Sequence, residues 1–176
     1  MNGKLVGIVI ILLGLVAGAA IYYLQVYGYY REIAATGAQD VTLITLADGT
    51  SQPIAHTGFK AIDADSSPIR FRACFTTSLT PDQARALYVE APDIDPRNAP
   101  GWFDCFDAED IGNGLSDGSV VSFLSAKNFA YGVDRIVAIG ADGRGYIWPN
   151  LNECGTKAYD GSLVGEECPA RPAPSQ

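Results

Sequence analysis

Residues 5–24 form an unbroken run of 20 without a charged side chain. No other feature restricts the fold as much. At 1.5 Å per residue a helix of that length spans about 30 Å, the thickness of a bilayer's hydrocarbon core. The run predicts a transmembrane helix over 5–24, behind a short N-terminus (1–4) whose one basic side chain is Lys4. A secretory signal peptide is the competing reading. Lys4, Leu5–Val16 and Ala17-Gly18-Ala19 resemble a basic start, an apolar region and a small-residue cleavage site. The apolar run continues past Ala19, however, and residues 22–30 hold Tyr22, Tyr23, Tyr27, Tyr29 and Tyr30, five of the nine tyrosines. Tyrosine collects where its ring stays in lipid and its hydroxyl reaches water, so the cluster favours a retained anchor with a membrane-interface belt.

The span carries Gly14-x-x-x-Gly18, with Gly7 two turns earlier on roughly the same face. Small residues four apart let a second helix approach closely, and Gly7, Gly14 and Gly18 are the predicted helix-packing residues. The expected partners are therefore the lipid bilayer and other membrane protein subunits.

Charge and cysteine bear on the remainder. The chain carries 12 basic and 20 acidic side chains, a net −8; setting Lys4 aside leaves 11 against 20, or −9. Such a surface repels phosphate backbones, which excludes a nucleic-acid partner. All four cysteines follow the helix. With the acidic charge, they point to an oxidising compartment: N-terminus cytoplasmic, C-terminal domain periplasmic, in a bacterial inner membrane. Charged residues are 18% and apolar ones 48%, which rules out wholesale disorder.

Residues 25–39 read as a juxtamembrane helix or linker that breaks at Gly37. From 40 to 168 the pattern fits one small α+β domain with a mostly antiparallel sheet and short helices. Val41–Leu46 is β-rich and ends at the turn signal Asp48-Gly49. Ile69–Phe75 alternates, which predicts Ile69, Phe71, Ala73 and Phe75 facing a core and Arg70, Arg72 and Cys74 facing away. Thr80-Pro-Asp-Gln83 is a capping box that starts a helix to about Val89. Residues 90–100 read as a loop, and 107–115 as a helix closed by Gly112 or Gly114. Residues 119–126 and 133–141 read as strands, with Asp142-Gly-Arg-Gly145 turning the chain into Tyr146-Ile-Trp148. Three prolines in 169–176 predict a disordered tail.

The cysteine gaps of 31, 49 and 14 positions contain no C-x-x-C pair, so zinc-ribbon, haem and thioredoxin spacings are absent. Two structural disulfides are expected. Spacing permits three connectivities, of which Cys74–Cys105 with Cys154–Cys168 is favoured; the second closes a short, glycine-punctuated loop, worth about 3 kcal/mol in a chain-entropy model.

No cofactor, metal site or catalytic residue is assigned. His56 is the lone histidine and has no nucleophile-elbow pattern near it. Asp93, Asp95, Asp104, Asp107, Glu109 and Asp110 lie within 18 residues, but lack EF-hand spacing and read as a solvated acidic loop. Trp102-Phe103 and Tyr146-Ile-Trp148 read as core aromatics rather than a binding surface.

The opening Met1-Asn-Gly-Lys4 with its span ending Tyr22-Tyr-Leu-Gln-Val-Tyr27 resembles a known pattern. So does the run Gly143-Arg-Gly-Tyr-Ile-Trp148 through Asn152-Glu-Cys154-Gly and Tyr159-Asp-Gly161 to Val164-Gly-Glu-Glu-Cys168-Pro. Together these resemble an uncharacterised family of single-span membrane proteins from alphaproteobacteria of the Rhodobacter and Paracoccus group. The resemblance covers nearly the whole chain and implies an inner-membrane location. It supplies no catalytic residues. The expected role is a non-enzymatic accessory or assembly subunit beside a larger complex, with a respiratory complex implied by the resemblance alone. The alternative is a periplasmic sensor or ligand-binding ectodomain using the loops between Glu90 and Asp110.

Overall fold

A computed structural model describes residues 2–170. Helix α1 runs Gly3–Tyr23 and continues into a π-helical turn over Leu24–Gly28. No residue of either is buried. By length and composition Gly3–Gly28 is long and apolar enough to cross a membrane, a test a signal sequence also passes.

The rest is α+β, with a six-stranded antiparallel sheet in the order β1-β4-β5-β8-β7-β6. Its strands are β1 (Arg31–Ile33), β4 (Thr57–Asp63), β5 (Arg72–Thr76), β6 (Val120–Ala130), β7 (Val133–Gly140) and β8 (Arg144–Leu151). A two-stranded ribbon pairs β2 (Thr42–Ile44) with β3 (Ser51–Pro53). Helix α2 is Pro81–Leu87 and α3 is Ala108–Asp117.

Period-two alternation sorts the sheet's side chains onto two faces, and both are buried. Ala73, Phe75, Val121, Phe123, Val137, Ile139 and Ile147 pack with Leu43 of the ribbon, its flanking residues Val41 and Ile54, and Ala84 of α2. Ile62, Cys74, Ile136, Ala138, Tyr146 and Trp148 pack on the other side with Phe103, Phe106 and, from α3, Ile111. Arg72 and Cys74 do face away from Ala73 and Phe75, as the alternation predicts, but the opposite face is a second core: Arg72 is 4% exposed.

The capping box at Thr80 forms in both directions, Thr80 Oγ1 accepting from the Gln83 amide and Gln83 Oε1 from the Thr80 amide. Helix α2 stops at Leu87 rather than Val89, because Tyr88 turns extended and bridges Thr45. Helix α3 passes through Gly112 and Gly114 and ends at Gly118 (φ 82°), whose left-handed conformation suits glycine. Gly114 is interior because a Cβ there would lie 2.5 Å from a Val120 methyl. Strand β6 reaches Ala130, four residues past the expected end, by absorbing irregularities after Leu124 and Ala126.

Residues 25–39 depart furthest from expectation. The helix ends at Gly28, and Arg31–Ile33 joins the sheet as an edge strand in register with Asp63, Ile62 and Ala61. Strand β4 was not legible: Gly58 (φ 62°) and a register shift between Thr57 and Lys60 interrupt its alternation. The disulfides are Cys74–Cys105 (Cα–Cα 6.2 Å) and Cys154–Cys168 (4.9 Å). The expected disordered tail lies mostly at 171–176, outside the described residues.

Candidate functional site

Aromatic rings and an arginine gather where the apolar helix meets the sheet. The π-helical turn presents its backbone sideways: Trp102 Nε1 donates to the Val26 carbonyl at 2.6 Å. The Trp102 ring stacks on Tyr27 (centroids 6.3 Å) and meets Tyr30 edge-on at 6.2 Å. Tyr23 stacks on Tyr27 in turn. Tyr22, Tyr23, Tyr27 and Tyr29 remain exposed, whereas Tyr30 is drawn into the edge of the second core. Arg70 lies over the Tyr30 ring, 5.6 Å from its centroid.

The segment carrying Trp102 is held by two residues of β5 that face the second core. Cys74 bonds Cys105. Arg72 donates to four backbone carbonyls: Nε to Arg97 at 2.9 Å, Nη2 to Asn98 at 3.0 Å, and Nη1 to Ile69 and Phe71 at 2.9 and 2.6 Å. Its guanidinium also lies over the Phe106 ring at 5.8 Å. Burial, with the nearby guanidinium groups of Arg97 and Arg70, pushes the Arg72 pKa down to about 10. The group stays charged near neutrality and acts as a polar clamp.

Trp102 packs at the edge of the second core, as the sequence predicts, but its bond to the helical turn is what sequence reasoning missed. An aromatic pair in a small domain looks like core, and its partner Val26 lies 76 positions away. The cluster of prolines and glycine around it (Pro96, Pro100, Gly101) was the available signal that the indole sits on a loop rather than in a strand.

Gly7, Gly14 and Gly18 all face open space: a Cβ built on any of them meets nothing within 4 Å. Among the described residues, no other element comes within that distance of them.

The six clustered carboxylates are dispersed. Asp107 caps α3 by accepting from the Glu109 and Asp110 amides. Asp93 and Asp95 border a half-open cleft of about 410 Å³ against α3, together with Arg85, Glu90 and Leu115. Asp110 borders a separate cleft with Asp142, Arg144 and Tyr146. Among the described residues, no three His, Cys, Asp or Glu side chains gather as a metal-holding group. His56 is occupied locally, with Nδ1 3.0 Å from the Ile54 carbonyl and the ring edge-on to Phe59 and Phe75.

On β7, Asp134 anchors a buried polar network. It is 6% exposed and accepts from Lys127 Nζ (2.8 Å), the Asn128 amide (2.8 Å) and Asn152 Nδ2 (2.7 Å). Lys127 Nζ also pairs with Glu166 at 2.8 Å, tying the Cys154–Cys168 loop to the sheet.

Searches of curated proteins and of solved structures return no significant match. One family model matches residues 41–169, which run from the start of the β2–β3 ribbon through the second disulfide, and by that match the chain belongs to a family of unknown function, DUF6446.

Proposed function

We propose that the protein is a non-enzymatic accessory or assembly subunit, anchored by α1 in a bacterial inner membrane with its N-terminus cytoplasmic and its disulfide-bonded domain periplasmic. One observation carries the reading. No residue of helix α1 is buried among the described residues, yet it bears three aligned glycines whose faces are open. Lipid covers the large apolar side chains, and a helix of a neighbouring subunit closes on the glycine face by van der Waals contact. The tyrosine-rich end then lies at the interface, with the sheet domain held next to it through Trp102. A respiratory complex is the partner class that the resemblance implies.

The test is purification of the full chain in mild detergent from its native membrane. The wild type should bring a membrane subunit with it, and Gly14→Leu with Gly18→Leu should release that subunit. A lone monomer indifferent to both substitutions refutes the accessory role. A mature protein that starts beyond Ala19 refutes the anchor.

The cleft beside Asp93 favours a second reading, a ligand-binding ectodomain, since Asp93 holds a left-handed backbone (φ 57°) at its rim. A thermal-shift panel of calcium and small metabolites distinguishes the two: no shift across the panel removes the second.

A further inference from the structure

Basic residues are scarce in this acidic chain, yet Arg70 lies beside Tyr30, and Arg70 and Arg97 both stand near Arg72. Arg70 lies over the Tyr30 ring and holds a 3.5 Å contact from Nη1 to its hydroxyl. Arg72 lies within electrostatic reach of Tyr30, Arg70 and Arg97. Among the described residues, no ion pair involves Arg70, Arg72 or Arg97. Arg72 spends its donors on carbonyls, but Arg97 does not: its Nε is buried and makes no hydrogen bond. Like charges gathered without a carboxylate need an anion from elsewhere. Nearby Arg31 differs, since it is paired with Asp65.

Depth along the helix says which anion. Gly3–Gly28 is 26 residues, or about 39 Å of helix. The hydrocarbon core takes about 30 Å of that, and with headgroups a bilayer measures about 40–45 Å. With 5–24 in hydrocarbon, Tyr27 to Tyr30 and the Trp102 indole on them stand in the headgroup layer, where Tyr and Trp favour residence. Arg70 stacks on Tyr30, so its guanidinium stands at the depth of the lipid phosphates.

We infer that Arg70, stacked on Tyr30, together with Arg97 forms a binding site for the phosphate of an anionic phospholipid headgroup in the leaflet from which α1 emerges. Arg72 positions the site by holding the 97–98 backbone and is not itself the reader. A planar guanidinium suits phosphate because its paired N–H groups match two oxygens at once. The inference rests on α1 being a membrane anchor.

The experiment reconstitutes the full chain into vesicles of phosphatidylcholine alone, or of phosphatidylcholine in equal parts with phosphatidylglycerol. Retention in neutral vesicles after alkaline carbonate washing reads the anchor by itself. Mild detergent extraction and native mass spectrometry then read which lipid stays bound. The wild type should retain phosphatidylglycerol over phosphatidylcholine. Arg70→Gln and Arg97→Gln should each cut that preference roughly fivefold, and together about thirtyfold, while Arg70→Lys should keep most of it. Circular dichroism and intact disulfides establish that the variants fold. Three results overturn the site: equal retention of both lipids by wild type, unchanged preference in the folded double variant, or complete displacement of the lipid by inorganic phosphate, which would mark a free-anion pocket. Failure of carbonate retention overturns the anchor instead.

Discussion

Asp134 offers a test in which two substitutions at one position should behave differently. Its Oδ1 accepts from two donors, the Asn128 amide and Asn152 Nδ2, while Oδ2 accepts from Lys127 Nζ alone. Asp134→Ala removes this acceptor from all three, leaving the Asn128 N–H without a partner, while Asn152 Nδ2 keeps Asn128 Oδ1 and Lys127 Nζ keeps Glu166. Hydrogen bonds to a charged group contribute about 1.5–3 kcal/mol each. A plain sum is too large, since the Lys127 side chain is 46% exposed and rehydrates once released. Counting the two enclosed donors and little from Lys127 gives a loss of about 3–5 kcal/mol. Asp134→Asn is milder. Its amide oxygen can occupy the Oδ1 position and keep both enclosed donors, leaving only an NH₂ group against an ammonium that can turn to Glu166 or water. That loss is about 1–2 kcal/mol. The assay is urea unfolding of the full chain in a non-denaturing detergent, followed by near-UV circular dichroism, with midpoints compared at equal slope. If the two variants fall together, or if Asp134→Ala stays within about 0.5 kcal/mol of wild type, Asp134 is not the centre of a desolvated network.

Three further outcomes are expected. Gly145→Ala places a Cβ 2.2 Å from Phe75 Cζ, so it should destabilise the sheet by about 1–3 kcal/mol, with Phe75→Leu restoring part of the loss in the double variant. Trp102→Phe removes the indole N–H from the Val26 carbonyl; hydrogen–deuterium exchange should rise over residues 24–30 and stay unchanged in β7 and β8. Acid should weaken the fold by a defined route. The side chains of Thr45 and Thr50 at Asp48, Ser119 at Asp117 and Ser162 at Asp160, and the Arg144 backbone N–H at Asp142, hold these carboxyls below the ordinary value of 3.8. A depressed folded pKa contributes stability that is complete above 3.8 and lost as pH falls through the folded values. Unfolding midpoints should be flat from pH 7 to about 5 and decline below about 4, and midpoints that rise in that acid range contradict the assignment.

What was legible in the chain was what is local. The capping box at Thr80, the alternation of Ala73, Cys74 and Phe75, and the turn at 142–145 each rest on contacts a few residues apart, and each forms. Cys154–Cys168 closes a loop short enough to read from spacing. The hidden elements depend on distant partners. Three-residue β1 is a strand only because Asp63, Ile62 and Ala61 lie beside it. Arg72 was placed on the face opposite Ala73, and alternation reports two faces without saying whether the second is covered. The covering residues, Phe103 and Phe106, lie in a segment with no period of its own. The same blindness hid the bond from Trp102 to Val26.

The mounting of α1 on the sheet has a mechanical consequence. A helix joined to a domain only by its own chain is a tether, and the domain below it swivels. Here there are two attachments. The backbone enters the sheet at its edge through β1, while Val26 is gripped by Trp102, whose segment is fastened through Arg72 and the Cys74–Cys105 bond to β5, an interior strand. Two separated fixings resist torque as well as pull. A tilt imposed on the helix is therefore delivered as a couple between the rim and the middle of the sheet, and the domain turns with the helix as one lever.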